Sequence, residues 1–250
     1  MTTVNTVWIG KKLGLVHAAC LRSLIRHGHD VVLHAYGKPE DTPDGVRLFD
    51  ASKLMDEKEI FAHKTTGSLA IASDMYRYRI QREGLGLYVD CDVYCLKPFP
   101  DADYVLSWES NTLLNPAILK VPYNSNLLNS LLEASEDPYF IPPWLPKKKQ
   151  LSRSFKKIIG RGKHVSEQEW GVIGPQLLTY HVKKLQLESY AYAIDAFSPM
   201  YGAVSNMLFE EGLTVSDLVT SRTVGLHLYN SGLKGKEIIP NTPIYEIINS

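Results

Sequence analysis

The sequence predicts an α/β protein with a mostly parallel central sheet, and two stretches of the chain support this prediction. Within the first 40 residues, an apolar segment at 6–10, an amphipathic segment at 13–27 and a β-branched segment at 30–36 follow one another. Strand, helix and strand in that order open a βαβ unit, whose strands run parallel. A second helix at 67–83 then leads through glycines into an apolar strand at 87–89, which continues the alternation of helix and strand.

The N-terminal elements each carry local signals for their ends. The first strand, TVWIG at 6–10, is apolar and ends in glycine. The helix at 13–27 has apolar residues at helical spacing and stops before Gly28. The second strand, DVVLHAY at 30–36, is rich in β-branched residues and is closed by Gly37.

The helix at 67–83 is the most regular element of the sequence. With a period of 3.6 residues, one of its faces is apolar and another is polar. The apolar face holds Leu69, Ala72, Tyr76 and Ile80, and the polar face holds Asp74, Arg77 and Gln81. Gly84 and Gly86 end the helix.

The rest of the chain is less regular. A strand at 104–108 follows a proline-bounded turn, a helix is predicted at 174–184, and strand-like fragments lie near Ala193 and Leu226. The segment around 137–165 is rich in proline, aromatic and basic residues, which predicts an irregular insertion. No internal repeat is visible, so residues 1–250 are predicted to form a single domain that carries this insertion.

Composition argues against several classes of protein. Lys plus Arg and Asp plus Glu each number 27, so the basic excess of a nucleic-acid-binding protein is missing and no nucleic-acid partner is predicted. Three cysteines do not make a disulfide framework, which indicates a reducing compartment. The N-terminal MTTVNTVWIGKK lacks the features of a signal peptide, and no apolar run is long enough to span a bilayer. We therefore expect a cytoplasmic protein.

The strongest candidate for chemistry is Asp90-Cys91-Asp92, directly after the apolar strand at 87–89. In an extended chain, side chains two residues apart point the same way, so both carboxylates are expected to converge. The carboxyl edge of a parallel sheet is also where such folds bind ligands. Two carboxylates suit Mn²⁺ or Mg²⁺, and such an ion could bridge the phosphates of a nucleotide diphosphate.

A pair of aspartates at this spacing also arises by chance, and the chain contains a second one, Asp101-Ala102-Asp103. The second pair follows KPFP, and no apolar strand leads into it. We interpret it as a surface turn.

The segment ASDMYRYRIQREGLGLYVDCDVYCLKPF resembles the signature of the DXD-containing sugar-transferase family. That family includes bacterial capsule and O-chain glycosyltransferases and yeast-type Golgi mannosyltransferases, with the large glucosylating toxins as more distant relatives. Its pattern is Ser-Asp on a helix, Arg three residues after the Asp, a glycine turn, Tyr-x-Asp-x-Asp and a proline. The matching residues are Ser73, Asp74, Arg77, Gly84, Gly86, Tyr88, Asp90, Asp92 and Pro98. The sequence departs from the pattern at Leu85, which separates two glycines that are usually adjacent.

The resemblance implies a GT-A fold, in which a Rossmann-like, mostly parallel sheet binds the nucleotide and appended elements bind the acceptor. It continues more weakly in VNTVWIG, in NPAILK from Asn115, in GPQLLT from Gly174 and in GLHLYN. The residues that it implies for donor binding are Trp8 and Gly10 beside the base, and Ser73, Asp74, Arg77, Tyr88 and Asp90. In this interpretation Asp74 hydrogen-bonds the ribose or the sugar, and Arg77 pairs with phosphate or with Asp74. Without the resemblance, the pair Asp74 and Arg77 would be interpreted as a solvated surface salt bridge, the usual role of such a pair.

His227 is the candidate for a third metal ligand beside Asp90 and Asp92. It lies between apolar neighbours in GLHLYN, so a histidine satisfied within the core is the alternative. Asn230 or Ser231 could serve in its place.

Glu109 is a candidate catalytic carboxylate, together with Asp92 and Asp74. It follows Trp108 at the end of the predicted strand 104–108, where it could face the acceptor. A surface carboxylate without a role is the alternative.

These observations predict a metal-dependent glycosyltransferase of the hexosyltransferase class. The donor would be a nucleotide-diphospho-sugar, with UDP favoured over GDP, and the acceptor a glycan or a lipid-linked glycan of bacterial surface polysaccharide synthesis. The family resemblance implies retention of configuration. Two alternatives stay open: a nucleotidyltransferase, which needs a glycine-rich basic loop that GKKLG at 10–14 matches only weakly, and a non-catalytic nucleotide-sugar-binding module.

The segment 147–163 carries eight basic residues and no acidic one. On a helix, its apolar side chains share one face and its basic side chains the opposite one. The apolar set is Leu151, Phe155, Ile158 and Ile159, and the basic set is Lys149, Arg153, Lys156 and Lys157. Such a helix suits an anionic leaflet, which predicts peripheral contact with the inner face of the plasma membrane. A solvated insertion or an active-site lid is the alternative.

Overall fold

The computed structural model describes residues 2–233 and 235–250, without the side chains of Ala203 and Ser231. The strands are β1 (Thr3–Trp8), β2 (Asp30–Ala35), β3 (Arg47–Asp50), β4 (Leu87–Val89), β5 (Val93–Cys95), β6 (Leu106–Ser107), β7 (Ile118–Leu119), β8 (Ala191–Tyr192) and β9 (Gly225–His227). The α-helices are α1 (Leu15–Arg26), α2 (Ala70–Arg82), α3 (Asn126–Glu136), α4 (Lys147–Ile158), α5 (Pro175–Lys184), α6 (Ile194–Phe197), α7 (Asn230–Leu233) and α8 (Pro243–Asn249). Short 3₁₀ turns connect several of them.

The central sheet has the strand order β3-β2-β1-β4-β7. β1 pairs in parallel with β2 and β4, and β2 pairs in parallel with β3, whereas β7 is antiparallel to β4. The predicted α/β class with a mostly parallel sheet is therefore confirmed. Because β1 and β4 are parallel neighbours, the residues that follow them meet at one edge of the sheet, where such folds bind ligands.

Helices cover both faces of this sheet. On one face, buried side chains of α2, α3 and α5 form a cluster that includes Tyr88 of β4. On the other face, α1 packs on a cluster that includes Leu87 and Val89 of the same strand. Neighbouring residues of β4 thus enter opposite layers, because side chains alternate along a strand. Because β4 is buried on both sides, it fixes the position of the aspartate pair that follows it.

Several elements differ from their predicted bounds. α2 begins at Ala70 instead of 67, because Gly67 has a left-handed φ of 67° and the Ser68 hydroxyl accepts a hydrogen bond from the Ala70 amide. The predicted strand 104–108 is reduced to Leu106–Ser107. The sequence-based prediction lacks α3, although Ser125 caps it by accepting from the Leu128 amide, a signal that can be read from the sequence.

The insertion around 137–165 is not irregular throughout, because α4 forms within it, directly after Pro146. Proline suits the start of a helix, because the first backbone N–H groups of a helix have no intrahelical partner and proline lacks this group. Among the helices of the described residues, none combines the length and the apolar character needed to cross a bilayer.

Candidate active site

Asp90 and Asp92 lie in the tight turn between β4 and β5. The Val93 amide donates to the Asp90 carbonyl at 3.2 Å, so the chain turns here and is not extended as predicted from the sequence. The turn leads into β5, whose first residue, Val93, pairs with His227 of the antiparallel strand β9. As a result, Asp90, Asp92 and His227 offer ligand atoms that all lie within 4.8 Å of one another. The predicted convergence is present, and the turn and the β5–β9 pairing produce it.

The carboxylate of Asp90 is anchored through one of its oxygens. Oδ1 accepts a hydrogen bond from the Tyr88 hydroxyl at 2.5 Å and another from Arg77 Nη2 at 3.1 Å. The guanidinium also lies 4.7 Å from the Tyr88 ring centroid, so these three side chains form one unit. Burial raises the pKa of Asp90 above its ordinary value; Arg77 opposes the rise, and Asp92 adds to it. Among the described residues, no group donates to Oδ2.

Asp92 is anchored by the segment that follows β9. Its Oδ2 accepts from the backbone amide of Asn230 at 2.7 Å, and its Oδ1 lies 3.5 Å from His227 Nε2. Burial alone would raise the pKa of Asp92, but His227 and the Asn230 amide bring it well below its ordinary value. Burial would lower the pKa of His227, and the charge of Asp92 outweighs this and raises it. Asn230 thus contributes its backbone amide, while the side chain of Ser231 lies outside the described part.

The three side chains fit a divalent cation. The donor set is two carboxylates and one imidazole nitrogen, a combination that Mn²⁺ accepts and whose oxygens suit Mg²⁺. Tyr88, Arg77 and the Asn230 amide each hold a ligand side chain from outside the cluster, as the groups around metal ligands commonly do.

Asp74 and Arg77 are buried, not solvated. Their side chains are 7% and 5% exposed, and Arg77 Nε lies 3.5 Å from Asp74 Oδ1. The alternative of a surface salt bridge is therefore wrong, because Tyr88, Asp90 and the backbone of Gly174 lie against the polar face of α2 that the sequence left open. Burial raises the pKa of Asp74 to about 7, against the opposing charge of Arg77. Ser73 is half-buried beside them, and its carbonyl accepts from Arg77 Nε at 3.2 Å.

Glu109 belongs to the same cluster of side chains. It is 8% exposed, which rules out the surface carboxylate, and burial raises its pKa although His227 and Asn115 oppose the rise. Asn115 connects it to the metal cluster: Nδ2 donates to Glu109 Oε1 at 2.7 Å and lies 3.3 Å from His227 Nδ1. The side-chain oxygen Oδ1 of Asn115 accepts from the Ala117 amide at 2.8 Å, which fixes the orientation of the side chain. Only the family resemblance of NPAILK marks Asn115 in the sequence.

Trp8 and Gly10 lie at the carboxyl end of β1. The indole Nε1 donates to the Lys12 carbonyl at 3.1 Å, and a β-carbon on Gly10 would lie 3.1 Å from that nitrogen. The Trp8 ring also contacts His17, with centroids 4.6 Å apart.

His17 is a site neighbour that sequence reasoning missed. Its Nδ1 bonds the Leu13 carbonyl at 2.8 Å, and its buried Nε2 has no hydrogen-bond partner among the described residues. It contributes to the low pKa of Asp92, after His227 and the Asn230 amide. The sequence offers only one signal for it, a histidine on the apolar face of a helix.

The structure resembles solved glycosyltransferases, whereas no protein-family model and no curated protein matches the sequence. The ligand-free glycosyltransferase domain from the YGT toxin aligns with a TM-score of 0.52 and 9% identity, over 85% of this chain and 83% of that one. The PaToxG glycosyltransferase aligns with a TM-score of 0.49 and 13% identity, over 75% and 70%. The WbbM bifunctional glycosyltransferase, in its apo structure, aligns with a TM-score of 0.40 and 13% identity, over 99% and 48%.

At such identities the likeness concerns the fold alone, and it rests on the alignment with the glycosyltransferase domain from the YGT toxin. The chain has a GT-A-type glycosyltransferase fold, as the resemblance of its Asp90–Asp92 segment implied. Membership of the DXD-containing sugar-transferase family stays a prediction.

Proposed function

We propose that this protein is a metal-dependent glycosyltransferase that transfers a hexose from a nucleotide-diphospho-sugar to a glycan or a lipid-linked glycan. The observation that carries the proposal is the cluster of Asp90, Asp92 and His227 at the carboxyl end of β4, in a fold shared with a glycosyltransferase domain. A UDP-sugar is favoured over a GDP-sugar. Retention of configuration and a place in bacterial surface polysaccharide synthesis complete the proposal, and both rest on the family resemblance.

In this proposal Asp90, Asp92 and His227 hold Mn²⁺ or Mg²⁺. When bound, the ion supplies positive charge that neutralises the diphosphate leaving group. The residues of the chain itself bind the ion and the donor and keep the ligand side chains in position. Tyr88 and the Asn230 amide fix the two carboxylates, so little reorganisation is needed when the charge of the leaving group develops.

The other candidate residues line the proposed donor and acceptor sites. Asp74 has no hydrogen-bond donor among the described residues and is free to accept from hydroxyls of the donor. Trp8 and Gly10, at the end of the neighbouring strand, are proposed to contact the base. Glu109, held by Asn115, is proposed to face the acceptor.

Thermal-shift measurements with a panel of UDP- and GDP-sugars test the proposal, with Mn²⁺, with Mg²⁺ or with a chelator. The cognate donor should raise the melting temperature only with metal, because ligand binding stabilises the folded state by mass action. Released UDP or GDP then reports turnover of that donor. Asp90→Asn and Asp92→Asn should lower turnover about 100-fold or more, since each removes a metal charge contact at constant volume.

The chain contains its own matched control. Asp101 and Asp103 have the same spacing and are exposed, and Asp101 pairs with Lys120 at 2.8 Å. Asp101→Asn and Asp103→Asn should therefore leave turnover unchanged. Turnover that persists in Asp90→Asn with a chelator present would overturn the metal assignment. Donor binding without any turnover would favour the binding module, and release of pyrophosphate from a nucleoside triphosphate the nucleotidyltransferase.

A further inference from the structure

Helix α4 is turned the opposite way from an ordinary surface helix. Amphipathic helices pack their apolar face on the protein and leave their polar face in water. In α4 the apolar side chains are the exposed ones. Leu151 is 72% exposed, Phe155 64%, Ile158 83%, and Ile159, which follows the helix, 47%. With about 3.6 residues per turn, these four form one continuous stripe along the helix.

Polar side chains hold α4 to the rest of the chain. Gln150 Nε2 donates to two carbonyls of the preceding loop at 2.9 and 2.6 Å. Arg153 Nη1 donates to Gln168 Oε1 at 2.7 Å, and Lys157 pairs with Asp137. These three side chains lie on the side of the helix opposite the apolar stripe, so the stripe faces outward as a consequence of how α4 is anchored.

Basic side chains flank the exposed stripe: by helical position Lys147 and Lys148 lie beside it, and Lys149 and Lys156 lie where it borders the opposite, polar side. Lys147, Lys148, Lys149 and Lys156 are exposed, and within the described part of the chain they form no ion pair. Arg161 and Lys163 follow the helix, and no acidic residue lies between 147 and 163. An apolar stripe with lysines beside it matches a bilayer interface, since the stripe can enter the acyl boundary while the amines stay at the headgroups.

From this arrangement we infer that α4 is a peripheral membrane-binding surface for bilayers that contain anionic lipid. The charge of the helix favours such a leaflet over a neutral one. An acidic protein partner would also match the charge of the lysines, but it would need an apolar groove shaped to receive the exposed stripe. A bilayer offers an apolar interior without any such complementary shape. The inference does not depend on the proposed transfer reaction, because it rests on the exposure and anchoring of α4 alone.

The surface is connected to the candidate active site. Gln168, which accepts the hydrogen bond from Arg153, lies six residues before Gly174. Gly174 in turn packs against the carboxylate of Asp74. Under the proposed function, a membrane-bound α4 would link the segment 168–174, and with it the neighbourhood of Asp74, to the membrane that carries a lipid-linked acceptor.

Co-sedimentation with lipid vesicles tests the inference. The protein should pellet with vesicles of equal parts phosphatidylcholine and phosphatidylglycerol at low salt, and not with phosphatidylcholine alone. Added salt should release it by screening. The double variant Lys148→Glu/Lys149→Glu should bind at least about 25-fold more weakly, because each basic residue near an anionic surface contributes about fivefold. The affinity of Phe155→Ser/Ile158→Ser for these vesicles should fall at least about tenfold, because the variant loses the apolar side chains that enter the acyl boundary.

Matched variants use exposed residues elsewhere. Lys58→Glu/Lys184→Glu makes the same change in net charge, and Leu48→Ser/Tyr123→Ser removes comparable apolar surface, from side chains that are 47% and 67% exposed. Both should bind like wild type, and circular dichroism should give one melting curve for the whole set. Absence of binding to anionic vesicles at low salt overturns the inference, as does equal weakening by the matched variants. A lipid-free dimer that Phe155→Ser/Ile158→Ser converts to monomer would instead assign the stripe to a second copy of the chain.

Discussion

Gly174 approaches Asp74 so closely that a β-carbon on the glycine would lie 2.3 Å from Oδ2 of the carboxylate. Gly174 is the residue before α5, and Asp74 lies in the first half of α2. The backbone of Gly174 is therefore one wall of the space around the Asp74 carboxylate. Any side chain at position 174 must displace either the carboxylate or the start of α5.

Gly174→Ala should abolish donor turnover while the fold is retained. The added methyl group overlaps Asp74, and overpacking of this kind costs about 1–3 kcal/mol of stability. Donor turnover and urea unfolding of the same preparation give the two effects. Gly232→Ala is the control, because among the described side chains its β-carbon would meet only Ser205 Oγ, at 3.9 Å. Full activity of Gly174→Ala would mean that Asp74 has no part in donor binding.

Arg77→Ala should destabilise the protein strongly, beyond any effect on donor binding. Removing the guanidinium leaves Asp74 and Asp90 without their buried counter-charge, which typically costs about 3–5 kcal/mol. Arg77→Lys should recover part of this loss. Arg82→Ala, on the same helix but 42% exposed, should change the unfolding free energy by less than about 1 kcal/mol. If Arg77→Ala costs no more than Arg82→Ala in urea unfolding, the buried pairing is wrong.

The buried carboxyl of Asp74 should make the metal-free protein less stable as pH rises. Its pKa is about 7 in the folded state against an ordinary 3.8, so the unfolded chain loses this proton first. Ionisation then stabilises the unfolded state between about pH 4 and pH 7, and folding stability falls across that window. Relative to Asp74→Asn, wild type should lose on the order of 3 kcal/mol between about pH 4 and about pH 8.

Urea unfolding of both proteins with a chelator, at several pH values, measures this difference. The exposed Asp44 supplies the control, since Asp44→Asn should follow the pH dependence of wild type. Parallel stability curves for wild type and Asp74→Asn would contradict a raised pKa at Asp74.

Much of the candidate site could be predicted because its parts are local in sequence. Asp90 and Asp92 follow an apolar strand, and the Asp74–Arg77 spacing is set by one helix turn. His227 required the resemblance, because the pairing of β5 with β9 that brings it to Asp92 joins residues 134 apart, from 93 to 227. Asn115 and His17 have no local pattern that separates them from ordinary core residues.

By itself the sequence determined the α/β order of elements, the two carboxylates after β4 and the amphipathic character of 147–163. These follow from hydrophobic periodicity, which is a property of neighbouring residues. Tertiary structure decided that Asp74 and Arg77 are buried, that a tight turn brings Asp90 and Asp92 together, and that the apolar stripe of α4 faces outward. Periodicity distinguishes the faces of a helix, but which face meets the protein depends on what packs there: Tyr88, Asp90 and Gly174 against the polar face of α2, and Gln168 and Asp137 under the polar side of α4.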